Sequence, residues 1–208
     1  MDHDSLKQAF EETPLFAGKT WKLSPEPYAV TPKQLEEIRR IGEACAEFYL
    51  AVERLYRRTV EGRRLLRNGD LDASWVVSYL ERGKPGDLLA HGLSEPLHRV
   101  LPPVIRPDIL VTGDGLAVTE IDAVPGGIGL TAYLNRLYEG DFDSLVGSGR
   151  GMVEGFLAAV AGAEAVHRNP YIAITVSDEA ETYRPEMEWL ASELQRLGKR
   201  VFVHNPGE

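Results

Sequence analysis

The sequence has few of the features that would place it in several common protein classes. Its 208 residues contain one cysteine, Cys45, which excludes an internal disulfide and lies among the apolar positions of a predicted helix, where a small core residue is expected. The net charge is −9, so nucleic acid is not an expected partner. No apolar run approaches the roughly 18 residues that cross a bilayer, and the first residues lack a signal-peptide pattern. The sequence therefore predicts a cytoplasmic protein with no membrane partner.

Apolar periodicity and turn residues predict two regions. Residues 1–104 are expected to form an extended arm, over the proline-rich stretch 13–32, and a helical region. Residues 105–208 are expected to form a β-hairpin followed by a Rossmann-like βαβ unit, in which YIAITVS and KRVFVHN are neighbouring parallel strands joined by a helix that ends at Gly198. The predicted fold class is α/β, with α+β character in the first half, and the two regions can pack as one domain.

A long helix is predicted after a capping box formed by Thr31 and Gln34, with Pro32 at the first helical position. It is expected to continue to about Arg67, before the NGD stop at 68–70. Apolar residues recur along it at spacings of three and four and predict one buried stripe: Leu35, Ile38, Ile41, Cys45, Phe48, Tyr49, Val52, Leu55 and Tyr56.

Four arginines near the end of this helix could form an anion-binding patch: Arg57, Arg58, Arg63 and Arg64. Glu53 and Glu61 lie within helical reach of them, and opposite charges at such spacings are typical of a solvated helix face. The sequence therefore favours the solvated face over the anion patch.

The hairpin at 106–122 carries the residues with the clearest chemistry. GDG at 113–115, between ILVT and LAVT, indicates a tight turn. With a three-residue loop centred on Asp114, Asp108 faces Glu120 and Arg106 faces Asp122, and the period of two places all four on one face of the ribbon. A two-residue DG loop would instead set Asp108 against Ile121, although Arg106 with Asp108 and Glu120 with Asp122 would each still share a face. The opposite face is expected to pack on the core through Ile109, Val111, Ala117, Thr119, Ile121 and Ala123.

Three carboxylates beside one guanidinium leave two negative charges to be balanced, which a divalent cation would do. Oxygen ligands favour magnesium, manganese or calcium, and the five histidines show no zinc-binding spacing. The alternative is a hairpin whose charged end simply extends into solvent.

A glycine-rich turn follows the second strand in the segment AVPGGIGLTAYLNRLY, which predicts a strand, a turn and a helix. The first backbone N–H groups of a helix are unpaired, so Gly126, Gly127 and Gly129 are predicted to bind a phosphate or carboxylate beside the metal. The segment matches neither the dinucleotide-binding GxGxxG pattern nor a Walker loop.

These residues resemble the motif of the circularly permuted ATP-grasp proteins, particularly the glutathionylspermidine synthase-like group. The resemblance consists of R-x-D at 106–108, eleven intervening residues, E-x-D at 120–122 and the proline-containing glycine turn. That family has E-x-N at the second position, so Asp122 stands where an asparagine is typical. The similarity covers roughly residues 100–208, where residues 171–206 resemble the start of the Rossmann-like pre-ATP-grasp region.

The resemblance implies an ATP-dependent carboxylate–amine ligase. It assigns Asp108, Glu120 and Asp122 as magnesium ligands and Arg106 as the catalytic cation facing an acyl phosphate, with Mg²⁺ and ATP as cofactors and a small-molecule carboxylate and amine as substrates. The ATP-binding lobes normally follow the Rossmann-like segment, so the chain is expected to be an N-terminal portion, inactive alone, whose lobes belong to a longer protein or a partner chain. The alternative is a noncatalytic module that binds a small anion or peptide; a metal-dependent hydrolase is disfavoured because no histidine is placed as a base.

Overall fold

The computed structural model describes residues 2–63, 73–123, 126–139, 144–160 and 170–207. Within these ranges the protein is a mixture of helices and strands, with seven α-helices, three short 3₁₀ helices and two two-stranded sheets. The expected combination of helix and sheet is confirmed. No helix in the described part of the chain is long and apolar enough to cross a membrane.

The chain forms two compact units. We call residues 31–124 the hairpin unit, and residues 1–30 together with 125–208 the parallel-strand unit. This division differs from the expected regions 1–104 and 105–208. The reason is long-range packing that local sequence patterns do not encode, since Phe16 packs in one cluster with Leu130, and the Leu116 N–H donates to the carboxylate of Glu37.

The hairpin unit begins with the long helix α2 (Pro32–Val60). The predicted capping box is present, because the Thr31 hydroxyl accepts from the Gln34 N–H at 3.2 Å and the Gln34 side chain accepts from the Thr31 N–H at 2.9 Å. The helix ends at Val60 rather than near Arg67. Gly62 follows with a φ of 69°, a left-handed conformation that terminates helices. Arg67 and the NGD turn lie outside the described residues.

The predicted stripe of α2 is only partly buried. Cys45 is buried and most of the other stripe residues are half-buried, but Ile38 and Phe48 are 37% and 55% exposed. The other elements of this unit are short: α3 (Ser74–Leu80), α4 (Gly86–Gly92), a 3₁₀ turn at Glu95–Leu97 and the strands β1 (Arg106–Thr112) and β2 (Gly115–Asp122). They are too short to cover a 29-residue helix along its whole length.

The parallel-strand unit begins with α1 (His3–Glu11), a helix that the sequence analysis does not predict. The predicted extended arm starts instead with a 3₁₀ turn at Pro14–Phe16, whose Leu15 and Phe16 are buried. These two side chains form a core cluster with Leu130 of α5 (Ile128–Glu139). The next helix, α6 (Gly151–Val160), packs beside α5.

The predicted βαβ crossover is present. Strands β3 (Tyr171–Thr175) and β4 (Arg200–His204) pair in parallel, with Tyr171 opposite Arg200 and Thr175 opposite His204. They are connected by a 3₁₀ helix at Asp178–Tyr183 and by α7 (Arg184–Arg196). Leu190 and Leu194 of α7 and Val201 of β4 are completely buried, as is Leu6 of α1, so the crossover supplies most of the fully buried side chains among the described residues of this unit.

Candidate functional site

The open end of the hairpin brings the four predicted site residues into two facing pairs. Arg106 is opposite Asp122, and Asp108 is opposite Glu120. Both pairings are those predicted from the sequence. Because facing residues of an antiparallel ribbon share a face, and because each strand alternates with period two, the four side chains extend from the same face.

The turn that produces this register is shorter than predicted. Thr112 pairs with Gly115, so the loop contains two residues, Gly113 and Asp114, and the expected three-residue loop is wrong. The turn is held by the Thr112 side chain, which accepts from the Asp114 N–H at 3.2 Å and donates to the Gly115 carbonyl at 2.8 Å. Gly115 has a φ of 128°, a conformation that disfavours other residues.

A β-bulge corrects the register between the turn and the open end. Asp108 pairs with Glu120 but Ile109 pairs with Val118, which leaves Thr119 as an extra residue on β2. The Thr119 hydroxyl donates to the Asp108 carbonyl at 3.2 Å. The shorter loop and the bulge each shift the pairing by one residue in opposite directions, so the predicted facing pairs depend on a bulge that the sequence analysis did not contain.

The second face of the hairpin does not pack as predicted. Val111 is 59% exposed and Thr119 is exposed, whereas Ile109, Ile121 and Ala123 are half-buried. Ala117 pairs with Leu110, so it lies on the same face as Arg106 and Asp108 instead. Within the hairpin unit α2 packs against both strands. One helix is about 10 Å wide and a seven-residue strand is about 23 Å long, so a single helix covers only part of such a ribbon.

Arg106 lies between two of the carboxylates. Its Nε is 3.3 Å from Asp108 Oδ1, and its Nη2 is 3.5 Å from Asp122 Oδ2. The side chains of Arg106, Asp108 and Asp122 are all partly exposed, with 42%, 49% and 32% of their surface accessible. The guanidinium therefore balances part of the negative charge at this end, and solvent screens the rest.

The donor chemistry of this end fits a hard divalent cation, because Asp108, Glu120 and Asp122 offer only carboxylate oxygens. Among the described residues, however, no group of three or more His, Cys, Asp or Glu side chains is arranged to hold a metal ion. In this arrangement Arg106 pairs with two of the three acids. A metal bound by all three would require Asp108 and Asp122 to turn away from Arg106.

The start of helix α5 is paired with an acid of the same unit. Gly127 N–H donates to Glu186 Oε1 at 2.7 Å, and Leu130 N–H donates to Glu186 Oε2 at 3.2 Å. Glu186 lies in the first turn of α7 and is only 3% exposed. Its carboxylate takes the place that the sequence analysis assigned to a bound phosphate or carboxylate, and it is stabilised there by the unpaired N–H groups and the helix dipole.

The other two predicted glycines allow close packing. A Cβ atom on Gly126 would lie 2.3 Å from the Tyr183 ring, and one on Gly129 would lie 2.3 Å from the carbonyl oxygen of Glu186. Both positions therefore need glycine for the approach of α5 to the start of α7. The three glycines belong to the parallel-strand unit, whereas the four charged residues belong to the hairpin unit.

Sequence reasoning missed Glu186. An acid in the first turn of a helix has an ordinary explanation in the helix dipole, so nothing in the sequence around residue 186 indicates a partner 56 to 59 residues away. The start of α5 did give a weak indication. A helix that begins at a glycine turn without a capping side chain has unpaired N–H groups, which need an acceptor from elsewhere in the protein.

No protein-family model, curated protein or solved structure matches the chain. The functional interpretation therefore depends on the residues themselves and on the motif at the open end of the hairpin.

Proposed function

We propose that the open end of the hairpin binds Mg²⁺ and belongs to an ATP-grasp-type, ATP-dependent carboxylate–amine ligase. The observation that supports this proposal is the register, which places Arg106 opposite Asp122 and Asp108 opposite Glu120. Three acids and one guanidinium on a shared face are the groups that such a ligase needs to bind a metal and a phosphoryl group.

In this proposal Asp108, Glu120 and Asp122 hold Mg²⁺, which supplies positive charge for the ATP phosphates. Arg106 then has a second role. In the structure it pairs with Asp108 and Asp122. Its planar array of N–H groups matches a phosphoryl group, so in this proposal it would donate to the oxygen atoms of the acyl phosphate.

The reaction assigned to this site joins a small carboxylate to an amine. A carboxylate oxygen would attack the γ-phosphorus of ATP and release ADP; the amine would then attack the acyl carbon, displace phosphate and lose a proton to form an amide. The β3–α7–β4 crossover corresponds, in this proposal, to the beginning of the Rossmann-like pre-ATP-grasp region. The ATP-binding lobes are supplied by further residues or by a partner chain.

The metal site can be tested by calorimetric titration of Mg²⁺ into the chain and into Glu120→Gln. Glutamine keeps the size of the side chain and removes its charge, so we expect the affinity for Mg²⁺ to fall at least about tenfold while the thermal unfolding temperature changes little. The matched control is Asp114→Asn, which removes one charge at the exposed tip of the same hairpin.

We expect Asp114→Asn to bind Mg²⁺ like the unaltered chain. Equal affinities for the unaltered chain and Glu120→Gln would exclude Glu120 as a ligand. No measurable binding to the unaltered chain would favour the noncatalytic anion-binding or peptide-binding module instead.

A further inference from the structure

A groove lined by arginines lies within the hairpin unit, and its lining contains no residue of the hairpin. We call it the arginine groove. It has a volume of about 650 Å³ and lies between the second half of α2 and the segment that follows the Glu95–Leu97 turn. Its charged lining residues are Glu53, Arg54, Arg57, Arg58, Glu61, Arg63, Glu95 and Arg99, and His98 completes its polar wall.

The charge of the arginine groove is opposite to that of the whole chain. Five arginines face three glutamates in its lining, whereas the chain has a net charge of −9. A positively lined concavity on an acidic protein attracts anions locally, since low-dielectric walls concentrate the field.

Two of the acids are already used by arginines. Glu53 Oε1 accepts from Arg57 Nε at 2.7 Å, and Glu61 Oε2 lies 3.3 Å from Arg63 Nε. The sequence analysis expected these glutamates to make a solvated face of the helix. The structure confirms that they reach their arginines, but it also shows that Arg57 is only 15% exposed and lies in a concave wall.

Three other guanidinium groups are left for a ligand. Within the part of the chain that the structure describes, the side chains of Arg54, Arg58 and Arg99 make no ion pair or hydrogen bond. All three line the arginine groove, two from α2 and one from the opposite wall.

The opposite wall is held to α2 by hydrogen bonds from Arg57 and to Glu53. Arg57 donates to the carbonyl groups of Gly92, Leu93 and Ser94 at 3.0, 2.6 and 3.4 Å. The Arg99 N–H donates to both oxygens of Glu53, each at 3.0 Å. Burial acts to raise the pKa of Glu53, but these hydrogen bonds from Arg99 and Arg57 lower it overall, so Glu53 stays charged and keeps the wall in place.

Arg99 adopts a strained backbone conformation. Its φ is 61°, and it is the non-glycine residue with positive φ in the described ranges. Such a conformation costs of order 1 kcal/mol or more outside glycine and persists where the surrounding contacts enforce it. A glycine at position 99 would adopt this φ without strain. We therefore infer that the arginine side chain, rather than the backbone turn, is required at this position, and it lines the arginine groove.

We propose that the arginine groove binds a small multivalent oxyanion of the phosphate and polyphosphate class through Arg54, Arg58 and Arg99. Guanidinium groups match phosphoryl oxygens with paired N–H donors, and several of them around one concavity select ligands with more than one negative charge. This site is separate from the proposed magnesium site, and its occupation does not depend on that function.

Calorimetric titration of inorganic pyrophosphate at low ionic strength tests the proposal directly. Arg58→Gln and Arg99→Gly should each weaken binding about tenfold or more, because each removes a charge-assisted contact. Arg99→Gly also relieves the positive φ, so it should keep or raise the unfolding temperature while losing affinity, which separates ligand binding from folding.

The matched control is Arg40→Gln, which removes one charge from an exposed position of α2 outside the groove. It should bind pyrophosphate within about twofold of the unaltered chain, and acetate should not compete. The proposal is overturned if the unaltered chain does not bind pyrophosphate, or if Arg40→Gln weakens binding as much as Arg58→Gln does, since the effect would then reflect net charge alone.

Discussion

Glu193 on α7 shows how one buried acid can contribute to stability. It is 7% exposed, and both of its oxygens accept from Arg136 of α5, at 3.2 and 2.6 Å. Arg196 also contacts it from one turn along the same helix. The hydrogen bonds from Arg136 lower the pKa of Glu193, against the opposing effect of burial.

A lowered pKa makes the stability depend on pH in a definite direction. The carboxyl of an unfolded glutamate has a pKa of about 4.3, so the stabilisation by charged Glu193 is complete above that value and is lost as the pH falls through the lower folded-state pKa. We expect Glu193→Gln to reduce the free energy of unfolding by about 1 to 2 kcal/mol at pH 7 and by less in acid. Urea unfolding between pH 3 and pH 7 measures both values.

The control for this prediction is Glu188→Gln, an exposed acid on the same helix. Its unfolding free energy should follow that of the unaltered chain at every pH. A loss for Glu193→Gln that is the same at pH 3 and pH 7 would contradict the role of the charged pair.

Single residues at the candidate site were only partly predictable. The facing pairs at residues 106–108 and 120–122 were predicted, but the structure reaches them through a shorter loop and a bulge that offset each other. The bulge at Thr119 was not predictable, because a threonine in a strand is ordinary whether or not it is an extra residue. The Glu186 contact was not predictable either, since it joins residues far apart in the chain.

At the scale of elements, local signals located helix starts better than helix ends. The capping box of α2 is a contact between Thr31 and Gln34, three residues apart, so the sequence contains all of it. α2 ends before Gly62, which has a positive φ. The prediction extended the helix past this glycine because the apolar periodicity was given more weight than the glycine. The exposed Phe48 shows that periodicity identifies an apolar face but does not identify what covers it.

The contact between α5 and α7 gives a prediction at this scale. Gly129→Ala would place a methyl group 2.3 Å from the backbone carbonyl oxygen of Glu186, and a backbone atom cannot move aside as a flexible side chain can. We expect a loss of about 1 to 3 kcal/mol in the free energy of unfolding, more than alanine gains from helix propensity. Thermal or urea unfolding measures the loss.

Gly155 of α6 is the matched comparison. Among the described residues, apart from its chain neighbours and its own helix backbone, no heavy atom would lie within 4 Å of a Cβ there, so Gly155→Ala should stabilise the protein by about 0.5 to 1 kcal/mol. If Gly129→Ala proved as stable as Gly155→Ala, the close approach of the two helices at Glu186 would be refuted.

At the scale of the whole molecule, the division into units could not be predicted from the sequence. Composition changes near residue 104, where the helical pattern gives way to the hairpin, and this change suggested the boundary. The contacts divide the chain differently, because Leu15 and Phe16 pack with α5 and the hairpin packs with α2. Both contacts join segments that are distant in the chain, and neither segment has a composition that identifies its partner.

The two proposed sites differ in charge, and this difference makes them separable in one molecule. The open end of the hairpin has three acids around Arg106, and the arginine groove has an excess of arginines. Divalent cations should therefore bind to the first and multivalent anions to the second.

The most direct test of the magnesium site is paramagnetic broadening by Mn²⁺ in the nuclear magnetic resonance spectrum of the ¹⁵N-labelled chain. Mn²⁺ takes the same oxygen ligands as Mg²⁺ and broadens the amide signals of nearby residues. We expect substoichiometric Mn²⁺ to broaden the signals of Arg106, Asp108, Glu120 and Asp122 first, and excess Mg²⁺ to restore them. Broadening centred on another part of the chain, or broadening that Mg²⁺ does not reverse, would contradict the site.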